Sequence, residues 1–335
     1  LCKWFAKKIG FNDSSGGIAA SGGTLSNLNA LIAARNNAGL GSNPNSVLLI
    51  SEDAHSSFIK CIRIMGLDAA NLVRIKTDNQ GRMDINNLRK SLNKCLIENK
   101  KIFAIVATLG TTVRGAIDPI KEISEICKER NIWLHIDGSI GGIFALSSIQ
   151  IEGLNNINQA NSITINPQKI IGITKTSSLL LVANMNTLQK TFSTGLPYIS
   201  SKEDIVNRGE IGIQGSRPAE VIKLWLGLRF LGLNGIEDIL KSSIKRKDFF
   251  IDHIVKNKFE IYSGPLHIVS FIPKGLTAKD TDFWTHSKVN ELMKNNYMLS
   301  RPKFKGKYYL RVVMGNYNTT DSHIEELLRF LDAYQ

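Results

Sequence analysis

Lys169, Asp137 and His55 are the residues of this chain whose types and positions could do chemistry together. Each ends or follows a short apolar run of the kind that forms a buried strand. In an open parallel sheet, ligands bind outside the carboxyl ends of the strands. His55 comes just after "SVLLI" (46–50), and Thr108, Thr111 and Thr112 end or follow "IFAIVAT" (102–108). Asp137 ends "IWLHID" (132–137), and Asn166 and Lys169 end or follow "SITIN" (162–166). Ahead of them, "SGGTLSNLNALIAARN" (21–36) reads as a Gly-rich turn running into an amphipathic helix. The free N–H groups of such a helix start bind anions, and Thr24 and Ser26 could add hydroxyl donors.

An anion site, a carboxylate and an amine at strand ends are the three parts that pyridoxal phosphate needs. The lysine amine condenses with the aldehyde as a Schiff base. The aspartate keeps the pyridine nitrogen protonated, so that the ring can accept electrons. A helix start takes the phosphate, and an imidazole such as His55 can cover the ring. Competing chemistries have less support. The chain has no G-x-G-x-x-G opening a strand–helix unit, no G-x-x-x-x-G-K-[ST] and no G-x-S-x-G. His135 and Asp137 could offer two metal ligands, but a third at sensible spacing is missing, so no metal is expected.

The elements that must position these residues alternate between strand and helix. Apolar runs at 46–50, 71–75, 102–108, 132–137, 162–166 and 177–183 are predicted strands. Between them lie helical patterns: one stopping at Gly66, one with Asp84 as its N-cap, and one with Pro119 just inside its start. Strands that are apolar throughout and alternate with helices predict a mostly parallel sheet covered on both faces. After Pro218 a long helical stretch runs on, interrupted near Gly232 and Gly235. A smaller α+β region follows, with "HIVSFIP", a helix around 283–295, "YYLRVVM" and a closing helix from Asp321. The reading is a large domain over 1–240 and a small C-terminal domain over 241–335.

The 335 residues are 43% hydrophobic and 21% charged, enough to bury a core and too apolar for disorder. No apolar run is long enough to span a membrane. The formal charge of +13 permits binding to nucleic acid. The basic residues are scattered, however, and the densest group, Lys241, Lys245, Arg246 and Lys247, reads as a solvated helix face. No nucleic-acid partner is expected. Cys2, Cys61, Cys95 and Cys127 are far apart and fit a reducing cytoplasm. The chain starts at Leu1 inside a helical pattern, which reads as an N-terminal truncation.

Six segments occur in an order that resembles the group II pyridoxal-phosphate amino-acid decarboxylases, the glutamate, aromatic-amino-acid and 2,4-diaminobutyrate enzymes. They are "SGGTLSNLNALIAARN", "SEDAHSSFIKCIRIMGL", "ATLGTTVRGAIDPI", "WLHIDGSIGG", "SITINPQK" and "GEIGIQGSRPAEVIKLWLGLRFLG". The resemblance implies fold type I, like aspartate aminotransferase, and a homodimer with sites at the subunit interface. It implies Lys169 as the Schiff-base lysine, Asp137 as the partner of the pyridine nitrogen and His55 as the ring-stacking histidine. Gly23 and Thr24 would cradle the phosphate with help from Asn166. Thr112 would lie near the ring face, and Ser139 beside the ring where the family usually has Ala. Gly215 and Ser216 would approach the partner's cofactor.

The implied reaction is α-decarboxylation of an L-amino acid to an amine and carbon dioxide. Transamination, oxidative deamination, carbon–carbon cleavage, or a truncated relative without turnover are the alternatives. Gln168 stands where the family usually has His, close to the reacting groups. Tyr198 is the one tyrosine in 193–209, where many members carry a tyrosine that protonates the carbanion. The family's N-terminal segment, which embraces the other subunit, is missing here.

Overall fold

The computed structural model describes residues 1–174, 177–195 and 207–332. The chain opens with α1 (Cys2–Lys8), then β1 (Gly16–Ala20) and α2 (Gly23–Asn37). Next come β2 (Ser46–Ser51), α3 (Ser57–Ile64), β3 (Leu72–Ile75), α4 (Ile85–Ile97) and β4 (Lys101–Thr108). They are followed by α5 (Ile120–Glu129), β5 (Trp133–Gly138), β6 (Ser162–Ile165), β7 (Ser178–Val182) and α6 (Met185–Phe192). The seven strands form one sheet in the order β1-β7-β6-β5-β4-β2-β3. From β3 to β6 all neighbours are parallel, while β7 runs antiparallel to both β6 and β1. This is the mostly parallel, helix-covered sheet that the alternating pattern predicts. The edge strand β1 is an addition, because "GGIAA" is too short and Gly-rich to signal a strand.

Strand pleating divides the core. Val47 and Leu49 of β2 and Ile105 and Ala107 of β4 pack with the α4 and α5 side. Their neighbours Leu48, Ile50, Ala104 and Val106 pack with α2 and α3. Each buried Leu or Ile contributes about 1.5–3 kcal/mol, so slipping a strand by one residue would be costly. The same alternation puts Leu134 and Ile136 of β5 in the first layer. It therefore turns His135 and Asp137 towards α2.

Beyond the sheet, α7 (Val221–His253) bends at Gly232, whose φ of 63° only glycine adopts freely. Gly235 does not break it. β8 (Phe259–Ser263), β9 (Ile268–Pro273), α8 (Ala278–Lys294), β10 (Lys303–Phe304), β11 (Lys307–Tyr308), β12 (Leu310–Val313) and α9 (Asp321–Asp332) complete the chain. A three-stranded antiparallel sheet runs β12-β9-β8. Leu224, Ile236 and Leu240 of α7 join the first core, and Phe250 joins a second one with Phe271, Trp284 and Leu328.

Four expectations change. Pro119 is the N-cap of α5 and not its first residue. Helix α2 is not amphipathic, because α3, α6 and the sheet enclose it and even Asn27, Asn29 and Arg35 are buried. The basic group on α7 is not a wholly solvated face: Arg246 and Lys247 are buried, and Arg246 donates to the carbonyl of Met314 at 3.0 Å. The helix expected at 283–295 starts five residues earlier, where Thr277 and Asp280 form a capping box.

Candidate active site

Asp137 lies between Thr108 of β4 and Thr164 of β6 in the sheet register. Its carboxylate accepts from the Ser139 N–H at 3.1 Å and from Asn27 Nδ2 at 3.2 Å. A chain of hydrogen bonds stands behind it. Trp133 Nε1 donates to Ser162 Oγ at 2.9 Å, and Ser162 lies 2.8 Å from His135 Nδ1. His135 Nε2 lies 3.1 Å from Asn27 Oδ1. Asn27 donates to Asp137 through nitrogen, so its oxygen accepts from His135, and Ser162 donates to Nδ1. Burial pushes His135 down to about 4, against the pull of Asp137, so the imidazole is neutral. Burial also pushes Asp137 up, but the charge of Lys169 and the hydrogen bonding of Ser139 outweigh it and hold its carboxyl below the usual range. Asp137 is thus a buried carboxylate that stays charged.

The start of α2 faces this carboxylate. The first N–H groups of any helix have no carbonyl within it. At Gly23 a Cβ would lie 2.6 Å from Asn166 Nδ2 and 3.0 Å from Ser139 Oγ, so only glycine lets the turn come this close. Asn166 is fixed by accepting from Ser178 Oγ at 2.6 Å, and Ser178 meets Ser26 Oγ at 2.8 Å. Its amide nitrogen is thereby left towards Gly23.

Lys169 ends a short turn, Pro167–Lys169, that follows β6. Withdrawal from water and the charge of Arg311 lower its amine pKa, although Asp137 pulls the other way. More of the amine is therefore free at neutral pH than on an ordinary lysine, as a nucleophile requires. His55, also lowered mainly by loss of water, accepts from the Ser57 N–H at 3.1 Å and lines the cavity.

A cavity of about 190 Å³ collects these groups. Gly23, Thr24, His55, Thr112, Asp137, Ser139, Asn166 and Lys169 all line it, so the eight residues expected from the sequence lie together. Gly215 and Ser216 are exposed and do not line it. Tyr198 lies outside the described residues. Gln168 accepts from the Ser177 N–H, which ties the lysine turn to the start of β7. Sequence reasoning missed Asn27, whose signal was an asparagine one turn into a helix that needs no polar residue on its buried side. It also missed Arg311, which comes from β12, far along the chain.

The cavity fits pyridoxal phosphate. It has a glycine-lined helix start for the phosphate, a charged carboxylate for the ring nitrogen and an amine for the aldehyde. Thr108 Oγ1, buried on its wall, has no hydrogen-bond partner and can take one from a bound molecule.

Comparisons with known proteins agree with this geometry. Residues 1–272 match the pyridoxal-dependent decarboxylase conserved domain. Aromatic-L-amino-acid decarboxylase of Bacillus atrophaeus is 31% identical over 98% of this chain and 71% of its own length. L-aspartate decarboxylase dtxS4 of Metarhizium robertsii is 30% identical over 98% of this chain and 69% of its own. Acidic amino acid decarboxylase GADL1 of Mus musculus is 28% identical over 97% of this chain, which spans 64% of that relative. The crystal structure of mouse CSAD superposes with a TM-score of 0.91 at 25% identity, covering 99% of this chain and 74% of that one.

Proposed function

Because this chain belongs to the family of pyridoxal-dependent decarboxylases, we propose that it removes the α-carboxylate of an L-amino acid as carbon dioxide and releases the amine. The observation that carries this reading is the pairing, across one cavity, of the charged Asp137 with the lowered amine of Lys169.

Bound pyridoxal phosphate supplies an aldehyde for amines and a ring that accepts an electron pair. Lys169 would hold the aldehyde carbon through its amine. Asp137 would keep a proton on the ring nitrogen, and the neutral His135 holds Asn27 against this carboxylate without adding charge. Gly23, Thr24 and Asn166 would hold the phosphate, and His55, Thr112 and Ser139, which line the same cavity, would hold the ring. Arg311, whose charge reaches Lys169, can hold a substrate carboxylate.

The relatives are named for aromatic and acidic amino acids, and the substrate here is drawn from those two classes. The test is carbon dioxide and amine release from aspartate, glutamate, phenylalanine, tyrosine and tryptophan by the loaded protein. Formation of a keto acid, or of aldehyde with ammonia, in place of the amine would select transamination or oxidative deamination instead.

The active form is a homodimer, a reading supported by the exposed Ile222, Trp225, Leu226 and Phe230 on α7. A boundary near residue 240 is supported by the division of α7 between two cores. A reducing, cytoplasmic setting is supported by the free thiols of Cys2, Cys61, Cys95 and Cys127. No helix among the described residues is long and apolar enough to cross a membrane.

A further inference from the structure

The loop between β4 and α5 is gripped from the C-terminal side at three carbonyls in a row. Arg311 donates to the carbonyl of Thr112, Ser270 Oγ to that of Val113, and the Gly264 N–H to that of Arg114 at 2.5 Å. The Arg114 side chain then runs the other way. Its Nη2 meets Asp53 Oδ2 at 2.5 Å, and the two side chains are only 4% and 7% exposed. The guanidinium lies 4.4 Å from the ring centroid of Phe304 and 5.8 Å from that of Tyr262.

Asp53 stands two residues before His55 in the loop that leaves β2. The hydrogen bond at the His55 ring comes from Ser57, two residues away, so it sets the ring's orientation and not the loop's position. We propose that Asp53 and Arg114 are positioning residues, a strut that fixes His55 relative to Thr112 and locks both to the C-terminal sheet. The proposal rests on the functional reading in which His55 covers the ring.

Energetics favour this over a purely stabilising role. A buried ion pair loses about as much in desolvation as it gains in attraction, and an apolar pair of similar size often stabilises as well. The loop is already tied by Glu52, whose Oε1 accepts from the N–H and the hydroxyl of Thr77. What the ion pair adds is direction. Guanidinium donors point along fixed lines in one plane. Here that plane is confined by the two aromatic rings and by Gly81, where a Cβ would lie 2.4 Å from Arg114 Cζ. The guanidinium has one place to be, and Asp53 follows it.

The test is the variant Asp53→Leu/Arg114→Met, which removes both charges and leaves neither orphaned. It is expected to fold and to weaken pyridoxal phosphate binding about tenfold. In a His55→Ala background the same change should alter the dissociation constant less than about twofold, because the coupling passes through His55. Equal losses in both backgrounds, or no loss in either, would overturn the proposal. Should the double variant fail to fold, Arg114→Lys keeps the charge without the planar fork and the same comparison applies. In the cofactor-free protein, the His55 imidazole resonance, identified by its absence in His55→Ala, should shift in the strut variant. If wild type binds no pyridoxal phosphate, the functional reading falls, and this resonance alone decides the strut: an unshifted signal ends it.

Discussion

Asn27 Nδ2 donates to Asp137 Oδ2 at 3.2 Å, joining residues 110 positions apart in the chain. The same carboxamide receives His135 at 3.1 Å, so a single side chain sets both the tautomer of a buried histidine and one lone pair of the carboxylate. Nothing else in α2 reaches Asp137 by a hydrogen bond among the described residues.

Asn27→Ala removes the hydrogen bonds to Asp137 and His135 and a longer one to Ser57 Oγ at 3.5 Å, and leaves a buried ring nitrogen and a buried carboxylate oxygen without theirs. The expected loss of stability is about 1–3 kcal/mol, and cofactor binding should weaken with it. Denaturant titration, run beside pyridoxal phosphate titration, checks both. A variant as stable as wild type would show that the chain of bonds carries no energy.

Lys169→Ala should abolish the visible absorbance that pyridoxal phosphate gains on binding, and lower turnover by at least about a thousandfold. Lys169→Arg should do the same, because a guanidinium stays protonated. Lys169 lines the cavity and is not part of the packed core, so stability should stay within about 0.5 kcal/mol of wild type. A visible band that survives in both variants would move the cofactor lysine elsewhere.

The lowered amine of Lys169 makes cofactor capture depend on pH. Capture needs the neutral amine, so its rate should climb with pH and level off below the usual lysine range. Stopped-flow absorbance on the cofactor-free protein measures this. Asp137→Asn removes the charge that holds the lysine protonated, so the plateau should move to still lower pH. A shift in the opposite direction would contradict an attraction between Asp137 and the Lys169 ammonium.

His135 should remain neutral from pH 7 down to about 4, and imidazole resonances would show this directly. In the unfolded chain the same ring takes a proton near 6.5. The unfolded state therefore binds more protons between these values, and stability falls as pH drops. The contribution is complete above about 6.5 and is lost as pH falls towards about 4. Asp118, pushed up to about 7 by burial, works in the opposite direction. The difference between wild type and His135→Asn across pH isolates the histidine, and a flat difference would argue against a buried neutral ring.

Much of this protein is legible in its residues. Short apolar runs such as 46–50 and 102–108, alternating with helical patterns, read as buried strands, and the rule that ligands gather at strand ends then places His55, Thr112, Asp137 and Lys169 together. Gly23 is legible in part, since a Gly-rich turn running into a helix marks an anion site, and the family resemblance then names the residue. The order of six motifs carried the family and with it the cofactor.

Tertiary packing decided the rest. Whether α2 shows one apolar side or is enclosed depends on what covers it, and α3, α6 and the sheet bury Asn27 where an exposed helix would solvate it. Arg246 and Lys247 look like surface charges until the α7 bend turns part of that stretch towards the C-terminal layer. Arg311 of β12 donates to the carbonyl of Thr112, which lines the cavity, and no local spacing encodes a contact across 199 residues. Local sequence sets periodicity and turn chemistry over a few residues. Desolvation, charge pairing and hydrogen-bond satisfaction belong to whatever the fold brings near, and so they appear only in three dimensions.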